Sequence, residues 1–441
     1  MATDITRIGE KARKAPKLIF TSLYHHVTDI DNLRECYGIL AADKAAGIDG
    51  VIKEEYGLNL EENLQDLSAR LKKMGYHPSP KRRTYIPKPG SKKGRPLGIS
   101  NFEDKLVELS MKRTMEPIYE AAFESSSYGY RPNRSPHQCL DDLGRTIQQK
   151  RVNHIVEADI KGFFDNVNHS WMLKFLQHRI ADPRIIRLIN KMLKAGIMED
   201  GLVKASEVGT PQGSILSPLL SNVYLHYVLD LWFSHRIRRQ SQGDAYYFRF
   251  ADDFLACFQY KKDAEEFMKR LTDRLEGFNL EVAPSKTKVL EFGRFARGNA
   301  KQKGRKPKEF TFLGFTHYCG KTRNGHFKVK RRTSRKKFGA SIAKFTDWAR
   351  RNRNVMRKGA MLRSAKRRIV GYLNYYAITD NSKKCSAYLH HVTQILCKWL
   401  NRKSQRRSYT WEGYLQALDQ VRWPTARIRK DLNPFRRAEA L

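Results

Sequence analysis

The chain's 441 residues, 40% of them apolar, suffice for two or three domains around full cores and describe a globular protein. Its 84 Lys and Arg against 45 Asp and Glu leave a formal charge of +39, an excess that points to a polyanionic partner, nucleic acid ahead of a membrane surface. No apolar run reaches the ~18 residues of a bilayer span, the N-terminus lacks a signal peptide's apolar core, and six scattered cysteines without a CxxC pair predict reduced thiols in a cytosolic protein, with neither zinc nor disulfides.

Residues 1 to 30 read as a basic leader, helical after Lys17. Leu33, Cys36, Ile39 and Leu40 recur at helical spacing, predicting a helix from Ile30 to Ala42 closed by the glycines of GIDGV (47–51); another covers Leu60 to Lys73. Lys81 to Ile99, KRRTYIPKPGSKKGRPLGI, reads as a hairpin around a Pro-Gly loop. Its first fifteen residues hold seven cations, Lys88 and Arg95 among them, which suits phosphate better than a merely solubilising loop. A helix follows over Asn101 to Phe123. SSSYGYRPNRSPHQCL (125–140) then interleaves aromatics with arginines before a helix capped by Ser135. The mixture suits stacking on bases and gripping phosphate, and equally an ordinary packed turn.

In HIVEADIKGFFDN (154–166) a short strand ends at Asp159 and turns through Lys161-Gly162. Two helices (about 170–180 and 183–195) and a short hairpin lead to GTPQGSILSP (209–218). There Gly and Pro fix the backbone, Gln212 offers a neutral donor and acceptor, and Ser217-Pro218 opens a helix to about Arg238. YYFRFADDFLACF (246–258) reads as a buried hairpin with Asp252 and Asp253 at its turn. A helix from Lys261 to Phe278 and two strands around Lys286 complete an α+β sheet covered by helices on one face. From Lys321 a dense cationic run, KTRNGHFKVKRRTSRKK, precedes a largely helical Phe338 to Leu400. Its basic clusters predict a nucleic-acid surface, and the tail from Asn401 carries no assignable fold.

An isolated Asp-Asp is more often a solvated turn than a site. The third acid changes that balance: with the end of the Asp159 strand beside the hairpin, three carboxylates in apolar surroundings repel and lose hydration unless cations neutralise them. Three acids from two elements can hold a pair of magnesium ions for in-line phosphoryl transfer.

The ordered set GIDGV, IPKPGSKKGRPLGI, SYGYRPNRS, VEADIKGFFDNVNH, GTPQGSILSPLLSN, RFADDFLACF, EVAPSKTKVLEFG, FTFLGF (310–315) and GYLNYY (371–376) resembles bacterial group II intron-encoded reverse transcriptases over about residues 20 to 420. The resemblance implies an α+β right-hand polymerase with fingers, palm and an α-helical thumb. The expected blocks are an N-terminal extension and start of the fingers (1–79), fingers (80–154), palm (155–320), thumb or maturase domain (321–400) and a short basic DNA/RNA-binding tail (401–441). It also implies that Asp159, Asp252, Asp253 and the backbone carbonyl of Ile160 hold two Mg²⁺ ions. Lys88, Arg95, Ile160, Phe164 and Gln212 would then bind the incoming dNTP, Phe164 excluding a ribose 2′-hydroxyl. Lys286 would donate a proton to pyrophosphate, and Arg131, Leu313 and Gly314 would contact primer or template.

The implied function is RNA-directed DNA polymerisation combined with binding of group II intron RNA as a maturase that promotes splicing and retromobility. The partners would be that RNA, a DNA target, the template–primer duplex and dNTPs, in a bacterial cytoplasm and on the nucleoid when target DNA is bound. Two departures stand out. Phe250 occupies the place of the family's usual tyrosine before Ala-Asp-Asp, and the sequence ends without the Cys/His-rich nuclease region of many relatives, predicting no second-strand nicking. Two other readings are a domesticated relative serving defence, CRISPR adaptation or DNA repair, and a non-catalytic RNA-binding chaperone.

Overall fold

The computed structural model describes residues 5–87, 94–199, 201–204, 208–284, 287–403 and 408–428. Packing divides the chain into two compact units that interleave in sequence. The first comprises Met1–Ser135, Val156–Ala256 and Lys261–Val289; the second comprises Pro136–Ile155, Cys257–Tyr260 and Leu290–Leu441. This division differs from the five consecutive blocks expected from the sequence, because the helix Pro136–Gln149 packs with C-terminal elements instead of with its sequence neighbours.

In the first unit, short helices surround the long helix Phe102–Glu120, whose Leu106, Val107, Met111, Met115 and Ile118 are fully buried. The N-terminal helix is Ile5–Lys14, so it precedes Lys17 where the sequence reading began it: Ile8 and Ala12, one turn apart, give that basic segment a buried face. The helices Ile30–Ile39 and Leu60–Lys72 stand where helical spacing put them.

The strands Lys81–Ile86 and Arg95–Ile99 pair antiparallel from Arg82↔Ile99 to Ile86↔Arg95. Lys81–Ile86 also pairs in parallel with Ile197–Glu199, which forms a hairpin with Leu202–Lys204. Glu108 of the long helix anchors this sheet from below. Its side chain, 2% exposed, takes the Lys81 ammonium and accepts from the Ser100 hydroxyl at 2.9 Å, while its second oxygen accepts from Ile215 N at 2.8 Å. One carboxylate therefore ties the cationic hairpin to the PQG loop.

A second four-stranded sheet has the order Ala245–Phe250, Asp253–Phe258, His154–Asp159, Lys288–Glu291. The helix opened by Ser217 and Pro218 runs to Gln240, but two π-turns widen it, at His226–Asp230 and Phe233–Ile237. In these turns Leu231 N bonds His226 O and Arg238 N bonds Phe233 O.

The second unit sets a three-stranded sheet with the helices Arg335–Asn352, Lys358–Tyr376, Ser382–Leu400 and Trp411–Gln420. The stretch read as a cationic run is half of a hairpin: Phe327–Thr333 pairs antiparallel with Phe315–Lys321. Val329, Arg331 and Thr333 alternate inward at period two, and the buried Arg331 donates to Leu140 O at 3.0 Å. The tail, left unassigned by its sequence, contains the helix capped by Thr410.

Removing the Glu108 carboxylate leaves a buried ammonium without its partner. Glu108→Ala is expected to cost about 3–5 kcal/mol of stability in denaturant unfolding, and a loss below about 1 kcal/mol would mean that the pair does not anchor the sheet.

Candidate active site

Asp159 ends its strand and is half-buried; Asp252 is half-buried in the hairpin turn, and Asp253, exposed, begins the returning strand. The strands Asp253–Phe258 and His154–Asp159 are neighbours in the sheet. Asn153, just before one, bonds through its N–H to Phe258 O at 2.9 Å and through its side chain to Gln259 O at 3.0 Å, beyond the end of the other. The two therefore run antiparallel, and the acid-bearing ends lie side by side, with adjacent strands about 4.8 Å apart. Among the described residues no group of three or more His, Cys, Asp or Glu side chains forms a ready-made metal cage. The backbone brings the three acids to one edge, while their side chains as oriented do not converge as a trio.

On the other side of Asp159, Ala283 N donates to Asp159 O at 2.8 Å and Lys161 N to Glu281 O at 2.9 Å. These bonds flank the Ile160–Val282 bridge, so they direct the Ile160 carbonyl away from Val282. An oxygen donor set of carboxylates and a carbonyl suits a hard divalent cation.

A group that the sequence reading did not single out holds the hairpin turn in place. Arg249, fully buried, grips Asp230 with Nε to Oδ1 at 2.7 Å and Nη2 to Oδ2 at 2.5 Å, and its Nη1 reaches Asn222 Oδ1 at 2.9 Å and Ala251 O at 3.1 Å. Burial opposes the guanidinium charge, yet Asp230 more than offsets it and the pKa is raised. Ala251 has φ +58°, a left-handed conformation that costs a non-glycine residue energy and persists because its surroundings fix it. Asn222 Nδ2 donates to Gly129 O at 2.8 Å, and Gly129 lies so close to the turn that a Cβ there would stand 2.3 Å from Ala251 N. A lone arginine inside an aromatic strand was the available signal, since such a charge needs a buried carboxylate.

Next to Gly129, Tyr130 also has a left-handed backbone, φ +58°, and is half exposed. Burial raises its pKa; Asp252 and Asp253 add to the rise and Arg95 opposes it, so its hydroxyl lies in the field of the acids and of the cationic hairpin.

Phe164 is half-buried, packs edge-on to Phe163 and offers its carbonyl to Thr210 N at 2.7 Å. Gln212 accepts from Gly98 N at 2.7 Å through its own carbonyl, and Gly213, φ +113°, passes so close to Gly98 O that a Cβ would stand at 2.8 Å. The PQG loop is thus stapled to both the Arg95 strand and the Phe164 turn. Arg95 itself is exposed. Arg131, expected on primer or template, is a correction: its side chain is 4% exposed, pairs with Glu120 at 2.9 Å and donates to Glu124 O and Ser127 O, so it secures the turn before Tyr130. Lys88 and Lys286 lie outside the described residues.

Leu313 and Gly314 belong to the second unit. They form the two-residue turn of a hairpin, at φ +48° and +81°, matching the mirror-image turn that favours glycine. Tyr375 OH donates to Leu313 O at 2.8 Å, and a Cβ on Gly314 would stand 3.1 Å from Tyr376 OH. The last two tyrosines of GYLNYY, Tyr375 and Tyr376, therefore brace this turn.

The profile of the family described as "Reverse transcriptase (RNA-dependent DNA polymerase)" matches residues 86–317. The chain is 39% identical over 222 residues to Group II intron-encoded protein LtrA of Lactococcus lactis subsp. cremoris, a match covering 50% of this chain and 37% of that protein. Protein YkfC of Escherichia coli K12 is 34% identical over 320 residues, 64% of this chain and 83% of its own length. Nuclear intron maturase 1, mitochondrial, of Arabidopsis thaliana is 30% identical over 95 residues, 21% of this chain and 13% of that protein. No helix among the described residues is long and apolar enough to cross a membrane.

Because displacing the turn displaces the acids, Gly129→Ala is expected to weaken Mn²⁺ binding, read by electron paramagnetic resonance, at least about tenfold with unchanged far-UV circular dichroism. Wild-type binding in the variant would show that this contact does not set the acids.

Proposed function

Since the chain belongs to the reverse transcriptase (RNA-dependent DNA polymerase) family, we propose that it extends a DNA primer along an RNA template with dNTPs, and that it binds group II intron RNA as a maturase. The observation that carries the polymerase reading is the edge at which Asp159 meets the Asp252–Asp253 turn, fixed from behind by Arg249.

In this reading Asp159, Asp252, Asp253 and the Ile160 carbonyl hold divalent cations; the family generally uses such metals, and two Mg²⁺ are proposed. When bound, the cations would favour the ionised primer 3′-hydroxyl and neutralise charge on the departing pyrophosphate. Arg95, exposed on its strand, neutralises the triphosphate, and Lys88 joins it from the neighbouring loop. Phe164 stands against the sugar. Its ring is fixed by Phe163 and its backbone by Thr210, so it cannot retreat to admit a 2′-hydroxyl. Gln212 faces the nascent pair from a loop stapled at both ends, and Lys286 protonates pyrophosphate. Leu313 and Gly314 support the primer strand. The sheet bearing the acids serves as palm, the cationic hairpin as fingers and the C-terminal helices as thumb. Phe250 provides an apolar edge before the acids where many relatives offer a hydroxyl.

The maturase part rests on the similarity to proteins named for group II introns and for intron maturation, together with the charge of +39. Binding through phosphates and shape would weaken with added salt.

On poly(rA)/oligo(dT) with Mg²⁺, wild type should incorporate dTTP and Asp252→Asn should lose at least about 10³-fold in rate; equal rates would refute the polymerase reading. Phe164→Ala should accept rNTPs at least about tenfold better relative to dNTPs, and undiminished rejection would remove Phe164 from the sugar contact.

A further inference from the structure

In the second unit a cleft of about 530 Å³ opens beside the hairpin Phe315–Lys321/Phe327–Thr333, a size typical of ligand sites. Four cations line it: Arg297, Lys306, Lys321 and Lys330. Among the described residues none of the four has an ion pair, and none has a side-chain hydrogen bond. The single acid on the wall, Glu309, is held by Arg332, whose Nη2 lies 2.6 Å from its Oε2. The same Arg332 lies 5.1 Å from the centroid of Tyr318 and backs that ring, which forms an aromatic wall of the cleft.

Gly320 is buried beside the stem of Lys330 on the paired strand, where a Cβ would stand 2.6 Å from Lys330 Cδ and push that flexible side chain aside. Cys319 contributes no negative charge: burial pushes its thiol up to about 11, and it donates to Gly293 O at 3.6 Å. Four unneutralised cations around one concavity repel one another and create a positive potential that an anion relieves.

We propose that this cleft binds a single strand of nucleic acid, phosphates on Lys306, Lys321 and Lys330 and a base against Tyr318. Free phosphate would satisfy the cations but leave the aromatic wall unused, whereas a single strand offers an unpaired ring together with successive phosphates for several cations. The lining of this cleft includes none of Asp159, Asp252 and Asp253, and the assignment does not rest on the polymerase reading.

The test is lysine acetylation of the full chain, read by mass spectrometry, with and without a saturating 12-nucleotide RNA, a DNA of the same sequence, or the duplex of either with its complement. Protection of Lys321 and Lys330 by both strands supports phosphate binding; protection by RNA alone supports it with the 2′-hydroxyl as an added contact. Unchanged acetylation of both lysines while others are protected, or protection by duplex only, would overturn the proposal. In the variant Lys321→Glu/Lys330→Glu, single-strand affinity should fall about tenfold or more, and the salt slope should shrink by about 1.4, from ~0.7 per phosphate contact. Primer extension on a short template should persist, so failure of the cleft and failure of the polymerase reading are distinguishable.

Discussion

The buried pair of Arg249 and Asp230 is the constraint on which the candidate site depends. Neither side chain is exposed, so each charge exists inside the protein only because the other does. A forked guanidinium is the suitable cation here: two donors occupy Asp230, and a further nitrogen divides between Asn222 and the Ala251 carbonyl. Through that last contact a folding interaction becomes a positional one. The turn carrying Asp252 cannot shift without disturbing a charge in the core.

Around this pair, close backbone approaches set geometry more than side-chain contacts do. Gly129 lies against the acidic turn, Gly213 against Gly98 and Gly209 against Phe164 and Asp165. Backbone bonds accompany these approaches: Tyr128 N to Arg249 O at 2.9 Å, Gly98 N to Gln212 O and Thr210 N to Phe164 O. Strand, loop and hairpin are thereby fixed with a stiffness that flexible side chains would not provide, which is what a site aligning two reacting groups requires. The cationic and aromatic groups then project from an already rigid frame.

Much of this was legible in the sequence because it follows local rules. The alternating and apolar runs at 154–159 and 245–258 became strands with their acids at the ends, and helical spacing located the helices at 30–39, 60–72 and 102–120. What escaped was set by partners remote in sequence. Arg131 reads like any arginine among aromatics, and only Glu120 and two carbonyls draw it inward. The strand Phe327–Thr333 was hidden because its inward positions include an arginine; charge dominated the reading and the period-two pattern went unseen. The π-turns left no signature in composition at all.

Those π-turns decide which side chains of the helix can share a partner. Asn222 and Asp230 are eight residues apart, which in a regular α-helix at 3.6 residues per turn would set them about 80° apart around the axis. The wider turn at His226–Asp230 reduces that angle, so both side chains reach one guanidinium. With one residue fewer between them, seven regular steps of about 100° would also leave the two side chains within about 20° of one another, so the wide turn is what fits an eighth residue between groups that share one partner. A change of winding thus does the work of a change of sequence: a carboxylate one position too far along the helix is turned back to the guanidinium that holds the acidic turn.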